Sequence, residues 1–326
     1  MAVPAFTLTN GHKLPLVGLG TFTVTDENDL NEALEAGYRH FDTAAAYKNE
    51  HVIGQVLKSW FDSGKLKRED VFVTTKLNSD GVHPDLVEEH ILKSLEQLQL
   101  DYIDLYLIHF PIYVKLEFVS GKALSAAEAQ PTDHIAIWRK LEEQVELGRT
   151  KAIGVSNFNK DQVSRIVEVA KIRPAANEFE LHVYLQQPEL VKYLKANGIL
   201  PISYFSLGNP GINNYLAKQG RPLRKTPTDL IDDPVVTKIA SKHGKSSGQV
   251  LLKFLVQNNI AVIPKSSNPK RLRENLSLFD FTLDDEDVKL LTGLDKGEQG
   301  RRATMAYSQS VLDHPEYPFP RVPRDV

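Results

Sequence analysis

Short apolar runs rich in β-branched residues alternate with longer amphipathic stretches from about residue 15 to residue 275. Eight runs read as strands: PLVGLG (15–20), YRHFDTA (38–44), VFVTTKL (71–77), YIDLYLIHF (102–110), KAIGVSN (151–157), AANEFEL (175–181), ILPISYF (199–205) and AVIPKS (261–266). Between them, NDLNEALEAG, HVIGQVLKSWFDSG, DLVEEHILKSLEQLQL and HIAIWRKLEEQVELG repeat apolar residues every three or four positions, the period of a helix with one buried face. Three of these run into a Gly, which marks a helix stop.

Parallel neighbouring strands need a helical crossover, so eight strand and helix units predict one closed parallel (β/α)8 barrel of the TIM type over residues 1–326. Several strands are continuously apolar, as expected when both faces are covered. A doubly wound open sheet would carry a glycine-rich dinucleotide turn after its first strand, whereas VGLGTF has two glycines and leads into no helix for several residues. Ahead of the first strand, Asn10-Gly11 between apolar flanks predicts a β-hairpin that plugs the bottom of the barrel. Segments 110–132, 208–233 and 296–326 exceed ordinary loop length. The first two follow strands, so they are expected at the C-terminal face, where barrels gather their chemistry.

Composition narrows the class. With 39 basic and 42 acidic side chains the net charge is −3, which argues against nucleic acid or an anionic membrane as a partner. The chain has no cysteine, which removes thiol nucleophiles, disulfides and zinc-thiolate sites. No run approaches 18 apolar residues and the N-terminus lacks a signal-like pattern, so a soluble cytoplasmic protein is expected. It is separately expected to act as a monomer on a small molecule, without a metal.

Position then selects candidate chemistry. Asp42 and Tyr47 follow the second strand, Lys76 ends the third and His109 ends the fourth, so a barrel brings all four around one axis. Singly, each has an ordinary explanation as a cap, a helix-entry aromatic, a solvated strand end or a buried histidine. Together they describe an acid-base device. A phenol with an unperturbed pKa of about 10 is a poor proton donor, and a nearby ammonium favours its phenolate. After the eighth strand, Lys265, Ser266, Ser267, Asn268 and Arg271 combine two cations with small hydrogen-bonding side chains and a helix start at Pro269, the composition of an anion site. A solvated helix cap with incidental charges is the competing explanation.

GYRHFDTAAAYKNE (37–50), the LIHFP around His109, GVSNFN (154–159) and IPKSSNPKRLREN (263–275) together resemble the aldo-keto reductase superfamily, in order, from GLGTF near residue 18 to HPEYPF at 314–319. The resemblance implies an NADPH/NADP+-dependent carbonyl reductase. Tyr47 would protonate the carbonyl oxygen, with Lys76 and Asp42 tuning it and His109 orienting the substrate. It further implies Ser156, Asn157 and Glu178 at the nicotinamide carboxamide, Tyr204 stacked on the nicotinamide, and Gly20, Thr21, Ser206 and Leu207 along the cofactor. Lys265, Ser266, Ser267, Asn268 and Arg271 fall at the adenosine 2′-phosphate, with Glu274 and Asn275 near the adenine. Phe22, Tyr47, His109 and Phe110, with parts of 112–132 and 301–310, would form the substrate pocket.

The chain departs from the family pattern at four positions: Glu178 for Gln, Phe205 for Ser, and Phe22 and Phe110 for Trp. An ionised Glu178 accepts a hydrogen bond from the carboxamide but cannot donate one, whereas a protonated Glu178 mimics glutamine. Loop 208–233 is longer than in aldose-reductase-like members, and Lys218, Arg221, Arg224 and Lys225 are expected to close it over the pyrophosphate. Phe for Trp opens the pocket, which admits a bulky ketone such as a 3-dehydroecdysteroid, the substrate class of somewhat similar arthropod members, beside a broad range of aldehydes. Two other classes remain: a Schiff-base aldolase using Lys76, and a non-catalytic subunit that senses NADPH.

Overall fold

The computed structural model describes residues 3–117, 126–218, 220, 230–304 and 308–320. Eight parallel strands form its centre: β1 Leu19–Gly20, β2 His40–Asp42, β3 Phe72–Leu77, β4 Ile103–Ile108, β5 Thr150–Ser156, β6 Ala176–Glu180, β7 Leu200–Tyr204 and β8 Ala261–Val262. Each pairs with its sequence neighbour, from Leu19 opposite Phe41 to Ile202 opposite Ala261. A parallel bridge between Val17 and Val262 joins the last strand to the segment leading into β1, and Gly18 N–H donates to the Val262 carbonyl at 2.9 Å. The sheet therefore closes into the TIM barrel.

Two apolar layers follow from the two faces of the strands. Leu14, Phe72, Leu105, Leu107, Ala152, Leu200, Ile202 and Ala261 pack together inside the barrel, while Ile108, Ile153, Val155 and Phe179 pack outward with the surrounding helices. Strands β3, β4 and β6 are buried at every residue, their polar side chains such as Lys76, Asn177 and Glu178 included. An antiparallel hairpin, Ala5–Thr7 with Lys13–Pro15, turns through Gly11 at φ 86°. Its Leu8 and Leu14 join the interior cluster beside Phe72 and Leu200 at the strand N-termini, so the hairpin seals that end.

The helices begin and end where the side chains predict. Asp26 accepts from Asn28 N–H to start Glu27–Ala36, and Gly37 at φ 106° ends it. Gly64 and Gly148, both with positive φ, lie one residue beyond the caps of Glu50–Asp62 and His134–Glu146. Among the described residues no helix is long and apolar enough to cross a membrane.

Three segments differ from the reading by pattern. AVIPKS supplies only Ala261–Val262 to the ladder, because Pro264 has no N–H to donate and the chain leaves the sheet there. Segment 110–132 contains its own antiparallel hairpin, Tyr113–Glu117 with Ala126–Gln130, over a small apolar cluster of Phe110, Ile112, Val114, Val311 and Phe319. Between β7 and β8 the chain forms the helices Pro234–His243 and Ser247–Val256 as well as Ile212–Lys218. Arg221, Arg224, Lys225 and the Lys218 side chain, expected to close over a pyrophosphate, lie outside the described residues.

Candidate active site

The C-terminal ends of β2 and β3 meet at a buried cation. Lys76 is fully buried, and its Nζ contacts Asp42 Oδ1 at 2.6 Å, the Thr43 carbonyl at 2.9 Å and Glu178 Oε1 at 3.3 Å. Burial disfavours the ammonium, but the neighbouring charges of Asp42 and Glu178, with Tyr47 beside them, outweigh it and hold the lysine well above its ordinary pKa. The cation lies 5.5 Å from the centre of the Tyr47 ring.

Tyr47 is placed by a short 3-10 turn, Ala45–Tyr47, that ends on Lys48 at φ 57°. The next residue, Asn49, has no exposure. Its amide donates to the carbonyls of Thr21 and Val24 at 2.8 Å each, and its oxygen accepts from Thr43 Oγ at 3.0 Å. One side chain thus ties the loop after β1, which carries Phe22, to the loop after β2, which carries Tyr47. The Phe22 and Tyr47 rings meet edge to face, 5.2 Å between centres.

On the other side of Tyr47 stands His109, with ring centres 5.8 Å apart. Burial of the imidazole and the nearby Lys76 cation push its pKa down to about 3, so the ring is neutral at neutral pH with one N–H to donate. Phe22 is 37% exposed and forms an open wall. Phe110 is only 2% exposed and packs 6.3 Å from Phe319, centre to centre, under the hairpin of the long loop.

Asn157, at the end of β5, connects three strands. Its amide donates to the His109 carbonyl at 2.9 Å and to Ser156 Oγ at 3.1 Å, and its oxygen accepts from Tyr204 Oη at 2.6 Å. Its own N–H donates to the Glu178 carbonyl at 2.9 Å. Asn157 takes φ 64°, a conformation that asparagine tolerates better than most residues, whereas Phe205 takes φ 54° directly after β7. Ser206 turns into the fold, its Oγ 2.7 Å from Ser203 Oγ, and Leu207 packs against the outer core.

Across the barrel mouth, β1 lies flush against the chain leaving β8: a Cβ on Gly20 would stand 2.5 Å from the Ile263 carbonyl oxygen. Thr21 Oγ donates to the Asp42 carbonyl at 2.9 Å. The helix Pro269–Leu276 begins beside this contact, capped by Asn268, whose Oδ1 accepts from Arg271 N–H at 3.0 Å. Ser266 Oγ accepts from Asn268 N–H at 3.1 Å, and Lys265 Nζ donates to Ser267 Oγ at 2.7 Å. Lys270 pairs with Glu274 and Arg273 with Glu32, while the exposed Arg271 guanidinium has no ion pair among the described residues. Asn275 is 5% exposed, on the helix whose Leu272 carbonyl accepts from Tyr38 Oη at 3.1 Å.

Glu180 is a residue that strand-end reasoning passed over. It is fully buried, and its two oxygens accept the consecutive backbone N–H groups of Arg302 and Ala303 at 2.6 Å each, with His182 Nε2 3.0 Å from Oε1. It thereby clamps the C-terminal segment against β6. A second acidic residue two positions after Glu178, within the strand run AANEFEL, was the available signal.

The chain as a whole resembles known proteins in sequence and fold. The model of the "Aldo/keto reductase family" matches residues 17–296. Prostaglandin F synthase 1 of Bos taurus is 38% identical, with 96% of each chain aligned. The NAD(P)H-dependent D-xylose reductase I,II of Candida tropicalis is 39% identical over 90% of this chain and 93% of its own. The structure of the aldose reductase from Schistosoma japonicum superposes with a TM-score of 0.84 at 34% identity, covering 97% of this chain and 99% of that one. With a family match over most of its length, relatives aligned nearly end to end and the same barrel, the chain belongs to the aldo/keto reductase family of oxidoreductases.

Proposed function

We propose that this protein reduces an aldehyde or ketone to an alcohol, with NADPH as the cofactor and Tyr47 as the proton donor. The observation that carries this reading is the Lys76 ammonium, buried against Asp42 and lying under the Tyr47 ring beside a neutral imidazole. NADPH, when bound, supplies the hydride. Tyr47 Oη gives its proton to the carbonyl oxygen, and the nearby cation stabilises the negative charge left on the phenol. His109, uncharged, donates a hydrogen bond that orients the carbonyl without competing as an acid.

The residues present suit the cofactor. Lys265 and Arg271 bring two cations, and Ser266, Ser267 and Asn268 bring hydrogen-bonding groups, to a helix N-terminus whose Arg271 guanidinium has no ion pair among the described residues. These would hold the 2′-phosphate, with Glu274 and Asn275 toward the adenine. Ser156, Asn157 and Glu178 would meet the carboxamide, Tyr204 the nicotinamide face, and Gly20, Thr21, Ser206 and Leu207 the remaining length. The exposed Phe22 leaves room for a bulky ketone as well as for aldehydes.

A Schiff-base aldolase needs a neutral, accessible amine. Lys76 is fully buried and its surroundings favour the ammonium, which supports the reductase reading. The direct experiment is to follow NADPH oxidation with a panel of aldehydes and ketones. Carbonyl-dependent oxidation is expected; none with any member would overturn the proposal. Arg271→Ala should weaken NADPH binding about ten-fold while NADH affinity barely moves, the lower end of about 1.5–3 kcal/mol for a charge-assisted pair, because the group is exposed. Fluorescence titration of both cofactors checks it, and equal losses for the two would show that Arg271 does not read the phosphate.

A further inference from the structure

Two carboxyl groups share one cation inside this barrel. Asp42 and Glu178 are each 2% exposed, and Lys76 Nζ reaches one oxygen of each, Asp42 Oδ1 at 2.6 Å and Glu178 Oε1 at 3.3 Å. The remaining oxygens, Asp42 Oδ2 and Glu178 Oε2, are buried and find no hydrogen-bond donor. Asp42 stands within hydrogen-bonding reach of the Glu178 carboxyl. Two ionised carboxylates against one ammonium would leave an uncompensated negative charge and two unsatisfied acceptors in an enclosed interior. A single proton on the pair removes the excess charge and supplies a donor.

We propose that the Asp42 and Glu178 carboxyls hold one proton between them at neutral pH, so that the pair presents a single negative charge to Lys76. Glu178 is then a positioning residue: it acts on Tyr47 through the cation they share. Burial, followed by the neighbouring charge of Asp42, raises the Glu178 pKa well above the ordinary carboxylate value, with Lys76 opposing. The other groups facing the cluster do not replace that proton. His40 on β2 and His109 after β4 are held neutral, at pKa values of about 4 and about 3, and Tyr47 approaches the cation from the turn after β2. Ser156 and Ile202, in register with Glu178 on β5 and β7, bring no charge.

The proton has a defined consequence for pH. The folded state keeps it above the ordinary glutamate value and the unfolded chain does not. The contribution of this pair to stability is therefore complete below the ordinary glutamate value and falls as pH rises above it, until the folded pair ionises. Ionisation places a second negative charge beside Lys76, which weakens the cation's support for a phenolate and makes Tyr47 a poorer acid. That kinetic consequence rests on the reductase reading; the protonation itself does not.

The test is denaturant unfolding of wild type, Glu178→Gln and Asp42→Asn from about pH 5 upward. Glu178→Gln cannot lose the proton, and in Asp42→Asn the glutamate ionises against Lys76 without a rival. Relative to either variant, the wild-type unfolding equilibrium constant should rise about ten-fold per pH unit, the slope for one proton. In addition, the alkaline loss of kcat/KM should move to higher pH in Glu178→Gln. Unfolding curves that stay parallel across pH for wild type and both variants would overturn the shared proton. This readout needs no turnover, so it stands or falls separately from carbonyl reduction.

Discussion

Replacing Tyr47 by phenylalanine is expected to lower kcat for carbonyl reduction by about 10²- to 10⁴-fold, the usual contribution of a positioned general acid. The substitution removes one oxygen and keeps the ring. The edge contact with Phe22 at 5.2 Å, the approach to His109 at 5.8 Å and the seat over Lys76 at 5.5 Å should all survive. NADPH affinity should stay near the wild-type value, because the basic groups proposed to hold it lie on a different element, the helix start at Pro269. Steady-state kinetics with a cofactor titration reads both quantities. Retention of most of the activity would mean that another group delivers the proton.

Lys76→Met should have the largest effect on stability of any single change at this site. It leaves Asp42 and Glu178, each 2% exposed, without the cation that offsets their burial. Removing one partner of a buried ion pair typically costs about 3–5 kcal/mol. The sign with pH follows from desolvation. Carboxyls deprived of Lys76 have raised folded-state pKa values, so the variant should recover stability on the acid side and lose it as pH rises. Wild-type Lys76 behaves differently. Its folded pKa is raised, so its contribution is complete below the ordinary lysine value and lost only above it. Denaturant melts across pH check this, and a variant within about 1 kcal/mol of wild type at neutral pH would show that the cluster tolerates an absent cation.

Much of the architecture was legible in the chain because barrel strands and helices advertise themselves by period. Runs rich in apolar and β-branched residues, such as FVTTKL and IDLYLI, read as strands covered on both faces, and Gly37, Gly64 and Gly148 mark three helix ends locally, without a distant partner. The hairpin at Asn10-Gly11 is equally local. Strand ends were less secure where a single residue decides pairing, as Pro264 does by ending the ladder after Val262.

The sequence by itself determined that polar side chains Asp42, Lys76 and His109 interrupt apolar strand ends, and a parallel barrel necessarily brings such ends to one face. Only the tertiary structure decided what each of them touches. Glu178 comes within 3.3 Å of Lys76, about a hundred residues away in sequence, and Glu180 two positions on reaches the backbone of Arg302 and Ala303 instead. Phe110 is drawn under the long-loop hairpin by Phe319 near the C-terminus. Periodicity reports which face of an element is buried, because that is a property of neighbouring residues. Charge pairing and side-chain direction depend on distances across the barrel, and those exist only once the chain has closed.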